Sequence, residues 1–280
     1  MRKNLLLLLF IGFNHFLFSQ ELLFHLGSGF AGHIYRSDFV KNNTLFGGDV
    51  GVSYTHYFLD NLGLNAGLEL GLYRNKLKLE NEYSYVGDRT DDTDENFEYR
   101  LTTKGYVLRN HSTALVVPLL LQYRAGKKRN IYVNGGVKFV IPQKLKGNAE
   151  AKEIHISGYY PDENLLIDDL PQHGFGSITN WSGDEKMKQR FTVTVSLETG
   201  MYFHIKRASG FYAGLYVDYG LTDMFKNTDA EKTGKETFIE YSPAGIDKSK
   251  CNGMQGLGIE KANLLAFGLR IKYALNLNRL

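Results

Sequence analysis

The sequence has little cysteine and, beyond its first residues, no long apolar run. Cys251 is the only cysteine in 280 residues, so the chain can form no internal disulfide and has no thiol-based metal cluster. After the N-terminal segment no stretch approaches 18 uninterrupted apolar residues, so no transmembrane helix is expected. If the protein is integral to a membrane, it must therefore be a closed β-barrel.

The chain also lacks an excess of charge of either sign. Its 33 basic residues face 30 acidic ones, and removal of residues 1–19 takes away Arg2 and Lys3 but no acid. The remaining balance is close to zero, which argues against nucleic acid as a partner.

The first residues have the pattern of a secretory signal. A basic start at Arg2 and Lys3 is followed by an apolar run from Leu5 to Gly12 and by Ser19 before the polar Gln20. We expect a signal peptide at 1–19, cleaved between Ser19 and Gln20, and one β domain at 20–280. An N-terminal membrane anchor would need about 20 apolar residues, and Asn14 and His15 interrupt this run.

Apolar and polar residues alternate with a period of two in eight segments, which is typical of strands with one apolar face. The clearest is Leu62–Leu72, where Leu or Ala occupies every second position. The predicted strands are Leu22–Tyr35, Phe46–Phe58, Leu62–Lys76, His111–Arg124, Asn130–Ile141, Phe191–Ile205, Phe211–Met224 and Asn263–Tyr273. This pattern predicts an all-β fold, an eight-stranded antiparallel up-and-down transmembrane barrel.

The connections between these strands alternate between short and long. Residues 59–61, 125–129 and 206–210 make tight turns, whereas three other connections run to about 34 to 49 residues. Such asymmetry is expected of an outer-membrane barrel with both termini in the periplasm. The long connections are polar, and we expect them to be unstructured surface loops. Gln143–Gln189 and Phe225–Glu260 are the loops most expected to contact partners.

The polar face of the strands carries glycines and charges of both signs, which suits the narrow interior of a small barrel. A charge in that space is costly unless it is paired. We therefore expect pairing across the interior that plugs the barrel or restricts ion flow. The network consists of Asp49, Glu69, Lys138, Glu198, Asp218, Arg270 and Lys272. On the other face, Phe58, Tyr123, Phe203, Phe211 and Tyr273 mark the turn side, as in the aromatic girdle at a membrane interface.

Three motifs suggest chemistry but have simpler interpretations. Gly27–Gly32 matches a dinucleotide fingerprint, yet no amphipathic helix follows it. His111 and Ser112 are adjacent on a strand, so they point to opposite faces and do not easily share a proton. The acidic run around Asp91 lacks the spacing of an EF-hand loop. The remaining histidines, such as His25, His33, His56 and His204, show no metal-ligand spacing, and we expect them to be polar groups of the interior or the interface. No catalytic residue, cofactor or metal is expected.

Several segments resemble the outer-membrane β-barrel family of Bacteroidota, which includes PorT-like proteins and the barrels of OmpA-related proteins. The resemblance is carried by Leu115–Tyr123, Tyr132–Val137 and Gly214–Leu221, with Phe18–Gln20 similar to signals of that phylum. Gly268–Tyr273 is similar to the last-strand signal read by barrel-assembly machinery, although this chain continues to Leu280. The resemblance implies an eight-stranded barrel and no particular activity.

We expect a non-enzymatic outer-membrane protein whose partners are outer-membrane lipid, the assembly machinery and an envelope protein or surface ligand contacted by the loops. Two alternatives stay open. A lipid-modifying enzyme would use a rim site, and a small pore would conduct ions, which eight strands and inward charges disfavour.

Overall fold

The computed structural model describes residues 20–36, 40–79, 82–91, 93–125, 130–187, 189–206, 208–225, 237–252, 259 and 261–279. The predicted signal peptide at 1–19 lies outside the described residues, as does 226–236 of the last long loop. The described chain is all-β and antiparallel, which confirms the predicted class.

Eight strands pair in chain order and form a closed ring. They are β1 (Gln20–Arg36), β3 (Phe46–Tyr57), β4 (Leu62–Leu79), β7 (Val107–Ala125), β8 (Ile131–Tyr160), β11 (Thr192–Lys206), β12 (Ser209–Gly220) and β15 (Lys261–Asn276). The ring is closed because β15 pairs with β1, and β8 pairs with β11 from Thr192↔Val140 to Met201↔Ile131. Each ring strand overlaps one of the eight segments with period-two alternation.

Through the middle of the ring, most apolar side chains point outward and most polar ones inward. Along β4, Leu68 and Leu70 are 57% and 60% exposed, whereas Asn65 and Glu69 are 2% and 5% exposed. The inward glycines provide room for larger neighbours: a Cβ at Gly27 would overlap the Asp49 carboxylate, and one at Gly51 would overlap the His25 ring. Glycine is needed at these two positions because charged or aromatic groups occupy the space of a side chain.

The long connections are not unstructured, as the sequence had suggested, but fold into further strands. These are β2 (Val40–Thr44), β5 (Tyr83–Thr90), β6 (Asn96–Lys104), β9 (Leu165–Ile167), β10 (Gly176–Met187), β13 (Ile239–Glu240) and β14 (Lys250–Cys251). β5 and β6 form a hairpin, and β6, β9 and β10 pair with the second half of β8. We call the strands and loops beyond the ring the loop layer.

A β-bulge in β8 joins the ring to the loop layer. Thr113 of β7 pairs with Lys144 and Ala114 with Pro142, so Gln143 is an extra residue in β8. Before it, the even-numbered Lys138 and Val140 are buried; after it, the odd-numbered Leu145 and Ala149 are. Because side chains alternate faces, one extra residue changes which positions face inward.

The loop layer has its own apolar core. Buried residues of β6, β7 and β8 pack there with residues from the tops of β1 and β4, such as Tyr35 and Leu77. At its centre Phe97 stacks on Tyr160 and meets Phe175 and Tyr241 edge to face, with ring centroids 5.0 to 5.5 Å apart. The layer is therefore a packed continuation of the ring.

Helical structure in the described chain is limited to three short 3-10 turns, Pro171–His173, Ile246–Lys248 and Leu277–Arg279. Among the residues described, no helix has the length and apolarity required to cross a membrane.

Replacing Phe97 with alanine tests whether the loop layer is a packed unit. Phe97 is 1% exposed, so Phe97→Ala should leave a cavity and destabilise the layer by about 3–5 kcal/mol. Limited proteolysis should then cut within β5, β6 or β10 sooner, while the ring strands stay protected. Val86→Ala, at a side chain that is 60% exposed in the same layer, is the control. Equal cleavage rates in the two variants would contradict a packed layer.

Candidate functional site

A network of ion pairs crosses the middle of the ring interior, with Arg270 of β15 at its centre. The Arg270 guanidinium donates two hydrogen bonds to Asp49 of β3, with Nη2–Oδ2 2.7 Å and Nε–Oδ1 3.2 Å. Its Nη1 donates to Glu198 Oε2 of β11 at 3.1 Å, and Nη2 lies 3.8 Å from Asp218 Oδ2 of β12. One side chain thus connects carboxylates from three other strands.

Two lysines complete the network. Lys138 Nζ of β8 lies 3.0 Å from Glu69 Oε2 and 2.9 Å from Asp218 Oδ2. Lys272 Nζ lies 2.8 Å from Glu198 Oε1. All seven residues predicted from the sequence are therefore linked to one another in the ring interior.

The network is almost completely buried from solvent, and most of its remaining polar atoms are hydrogen-bonded. Glu198 and Arg270 are 1% and 2% exposed. Tyr132 donates to Glu198 Oε1 at 2.7 Å, and Ser196 donates to Asp218 Oδ1 at 2.5 Å. Removing these charges from water costs several kcal/mol per ion, and only close pairing with added hydrogen bonds offsets that cost.

His25, which the sequence predicts only as a polar group of the interior or the interface, belongs to the same cluster. Its Nε2 lies 3.4 Å from Glu69 Oε1 and 3.6 Å from Asp49 Oδ1. His25, Asp49 and Glu69 each offer one potential metal-ligand atom, and these atoms lie within 4.8 Å of one another. Arg270 and Lys138 already pair with the two carboxylates, however, and their positive charges would repel an added cation. The arrangement fits a network of ion pairs better than a metal centre.

A second polar cluster closes the interior at the turn end. Arg124 of β7 donates to both carboxylate oxygens of Glu21, at 2.6 and 2.5 Å. Its guanidinium carbon lies 4.4 to 5.2 Å from the ring centroids of Tyr57, Tyr202 and Tyr212. The alternation along β1 does not reveal this cluster, because Leu23 lies between Glu21 and Gly27 on the same face and also points inward.

A third polar group lies at the loop end of the interior. Ser112 donates to Gln189 Oε1 at 2.7 Å, and Gln189 Nε2 lies 3.1 Å from His33 Nε2. Asn75 donates to the His33 carbonyl oxygen at 2.7 Å. Ser112 is buried inside the ring whereas His111 is exposed outside it, so the two face opposite ways, as expected from their adjacent positions. Gly27–Gly32 and His33 all lie within β1 and form no phosphate-binding turn.

The loop layer contains a cavity of about 250 Å³ between the β5–β6 hairpin and the 3-10 turn at Pro171–His173. Its walls combine aromatic and acidic side chains. They include Asp91, Glu95, Tyr160, Glu163, Phe175 and Tyr241. An open pocket whose walls combine aromatic and acidic side chains could receive a small ligand from solvent.

Asp91 serves the hairpin turn in this cavity. Its Oδ1 accepts hydrogen bonds from the backbone amides of Thr93 and Glu95, and its Oδ2 accepts one from Tyr160 at 3.0 Å. Burial raises the pKa of Asp91, but these hydrogen bonds outweigh it and hold the pKa below its ordinary value. The carboxylate is thus engaged in closing the turn, which leaves little support for loose calcium binding.

A serine and a histidine that the sequence does not indicate as partners are in contact in the loop layer. His155 of β8 and Ser177 of β10 are cross-strand partners, with Nδ1–Oγ 2.9 Å on an exposed surface. Their separation of 22 residues gave no signal before the pairing of β8 with β10 was known. Within the described chain no carboxylate hydrogen-bonds to the His155 ring to orient it, as a catalytic triad would require.

Neither protein-family models nor curated proteins give a match to this chain.

Replacing Glu198 with glutamine tests the central network. Glu198→Gln keeps the shape but leaves Lys272 and one side of Arg270 without a counter-charge, so stability should fall by about 3–5 kcal/mol. Thermal unfolding of the purified protein measures the change.

The control for Glu198→Gln is Glu150→Gln. It breaks the exposed pair with Arg109 and should cost less than about 1 kcal/mol. If Glu198→Gln prevents folding, the double variant with Lys272→Met removes both charges of one pair and should recover part of the folded yield. Equal stability of Glu198→Gln and the unaltered protein would contradict the role of the network.

Proposed function

We propose that this chain is an integral outer-membrane protein, an eight-stranded antiparallel up-and-down β-barrel without enzymatic activity that acts through its folded loop layer. The observation that carries the proposal is the outward apolar face of every ring strand. Eight outward side chains, one on each ring strand, are at least 50% exposed: Leu26, Val50, Leu70, Leu121, Ile131, Leu197, Leu215 and Leu269.

Such an exterior is suited to hydrocarbon and not to water. Soluble monomers rarely expose contiguous apolar patches beyond a few hundred Å², and here the apolar face surrounds the ring. The outward run on β4 extends from Leu62 to Leu72. At about 3.3 Å per residue and a tilt of about 45°, it rises roughly 25 Å, which is the height of the apolar band of outer-membrane barrels.

Aromatic residues at the turn end support the same orientation. Phe58, Tyr123, Phe203 and Tyr273 are 39% to 48% exposed near the short turns. Rings at this position suit the interface between hydrocarbon and headgroups. The short turns would then face the periplasm, with the loop layer outside the cell.

The filled interior favours a closed barrel over a pore. Ion pairs and aromatic rings occupy it in the middle and at the turn end, and hydrogen-bonded side chains occupy the loop end. Eight strands leave an interior that side chains can fill.

The role we propose is interaction through the loop layer, whose packed core presents a stable surface and the cavity beside Asp91. The resemblance of Leu115–Tyr123 and Gly214–Leu221 to Bacteroidota barrels adds to this proposal. Its partners would be outer-membrane lipid, the barrel-assembly machinery acting on β15, and an envelope protein or surface ligand at the loops.

Cell fractionation and gel mobility test the membrane assignment. The processed protein should remain with outer membranes after carbonate washing. It should also migrate faster on a gel without heating than after boiling, because a closed barrel resists detergent. A processed protein that is monomeric and freely soluble without detergent would overturn the proposal.

Planar-bilayer recording separates the closed barrel from the small pore. We expect no stepwise conductance from the purified protein. Regular openings that disappear in a variant with altered interior charges, such as Lys138→Met, would favour the pore.

The exposed Ser177–His155 contact is the specific observation in favour of a lipid-modifying enzyme. Deletion of the gene should leave the lipid profile unchanged if the protein is not an enzyme. A changed profile that Ser177→Ala fails to restore, while the unaltered chain restores it, would favour the enzyme instead.

A further inference from the structure

The outward face of β4 changes abruptly from apolar to basic near its loop end. Leucine or alanine occupies each outward position from Leu62 to Leu72, and the next two outward residues are Arg74 and Lys76. The neighbouring strands continue the change. We call the following residues the basic band: Arg74, Lys76, Arg109, His111, Lys144 and Lys146.

The strand register places these basic residues directly opposite one another. Arg74 is the partner of His111, which is the partner of Lys146, and Lys76 is the partner of Arg109. Like charges at directly opposed positions of a sheet destabilise it. Lys76 and Arg109 are such a pair, so the band carries an electrostatic cost that an external anion would reduce.

Little within the described chain neutralises the band. Its only described ion pair joins Arg109 to Glu150. Glu150 lies two residues beyond Asn148, the cross-strand partner of Arg109, and is thus farther from the apolar face. Arg74, Lys144 and Lys146 are exposed and form no ion pair with a described residue. On the opposite side of the ring, the exposed apolar residues Tyr219 and Leu221 lie at the loop end of β12, and the exposed Lys261 begins β15. The basic side chains of the band lie together on the neighbouring strands β4, β7 and β8.

An apolar groove leads directly to the band. It has a volume of about 510 Å³ on the outer face between β1, β3 and β4. Gly48 and Ser28 are cross-strand partners that form its floor, Leu26 and Leu70 form its sides, and Arg74 lies at its loop end. The groove exists because Gly48 has no side chain, and a Cβ there would overlap the Gly27 carbonyl oxygen.

We propose that the groove and the basic band together bind an anionic membrane lipid, with an acyl chain along the groove and its phosphate on the band. Arg74 donates to the phosphate oxygens, and the other basic residues neutralise its charge. The site rests on the proposed function, because only a barrel in a membrane presents this face to lipid.

Lipid titration followed by native mass spectrometry tests the site. The probes are dioleoyl phosphatidylglycerol and dioleoyl phosphatidylcholine, added to the purified processed chain in a non-ionic detergent. We expect the anionic lipid to bind at least about tenfold more tightly than the zwitterionic one. Inorganic phosphate at the same concentrations should not displace it, because phosphate has no acyl chain to occupy the groove.

Two matched sets of substitutions separate the band from overall charge. Replacing Arg74, Lys76, Lys144 and Lys146 with glutamine should abolish the preference for the anionic lipid. Replacing the exposed Lys104, Lys152, Lys248 and Lys250 of the loop layer with glutamine removes the same charge and should keep the preference. Ser28→Phe fills the groove, so it should weaken the binding of both lipids and keep the preference for the anionic one.

The outcomes also distinguish this site from the membrane assignment. The lipid site alone is overturned by any of three results with a folded protein that requires detergent. The protein binds both lipids equally, it releases the anionic lipid to inorganic phosphate, or it loses its preference equally in both charge sets. Each variant is first checked for heat-dependent gel mobility, so that a loss of binding is assigned only to folded protein. A chain that stays monomeric in water without detergent overturns both proposals.

Discussion

Closure of the sheet between β8 and β11 is the constraint on which the other features depend. An open eight-stranded sheet would leave two edges with unpaired backbone groups, and pairing of Val140 with Thr192 removes them. Closure also creates an interior and an exterior, so successive side chains of every ring strand point alternately into the ring and away from it. A residue is then either part of a narrow filled interior or part of a continuous exterior surface.

The narrow interior explains why glycines and charges occur together. Large charged groups such as Arg270 fit only where the neighbouring strand lacks a side chain, as at Gly27 beside Asp49. Each ion gains close partners from several strands at once, so the network links β3, β4, β8, β11, β12 and β15 across the ring. Burial of ions seldom adds much net stability, but removal of one partner is costly. We infer that the network penalises alternative registers, because a shift of one residue would place a charge on the apolar exterior.

The ring strands and the interior charges could be predicted from the sequence because both depend on a simple alternation. The loop layer could not be predicted, because its strands pair with the second half of β8, which lies beyond the residue where the first alternation stops. The pattern of β8 breaks at Pro142 and Gln143, and the predicted strand stopped at Ile141; beyond the bulge the alternation resumes in the opposite phase. The partners of His25 and Arg124 could not be predicted for a related reason. Their roles come from partners on distant strands, and a single sequence does not show which distant residues meet.

The extra residue at Gln143 has a consequence for how this chain can vary in length. Deleting it would leave Pro142 and Lys144 paired in direct succession with Ala114 and Thr113, so β8 would alternate regularly and Leu145 and Ala149 would stay buried. Adding one more residue without a second bulge would instead turn Leu145 and Ala149 toward solvent and Lys144 and Lys146 toward the apolar core. A single deletion at this position should thus be tolerated better than a single insertion, because only the insertion changes which side chains of the loop layer are buried.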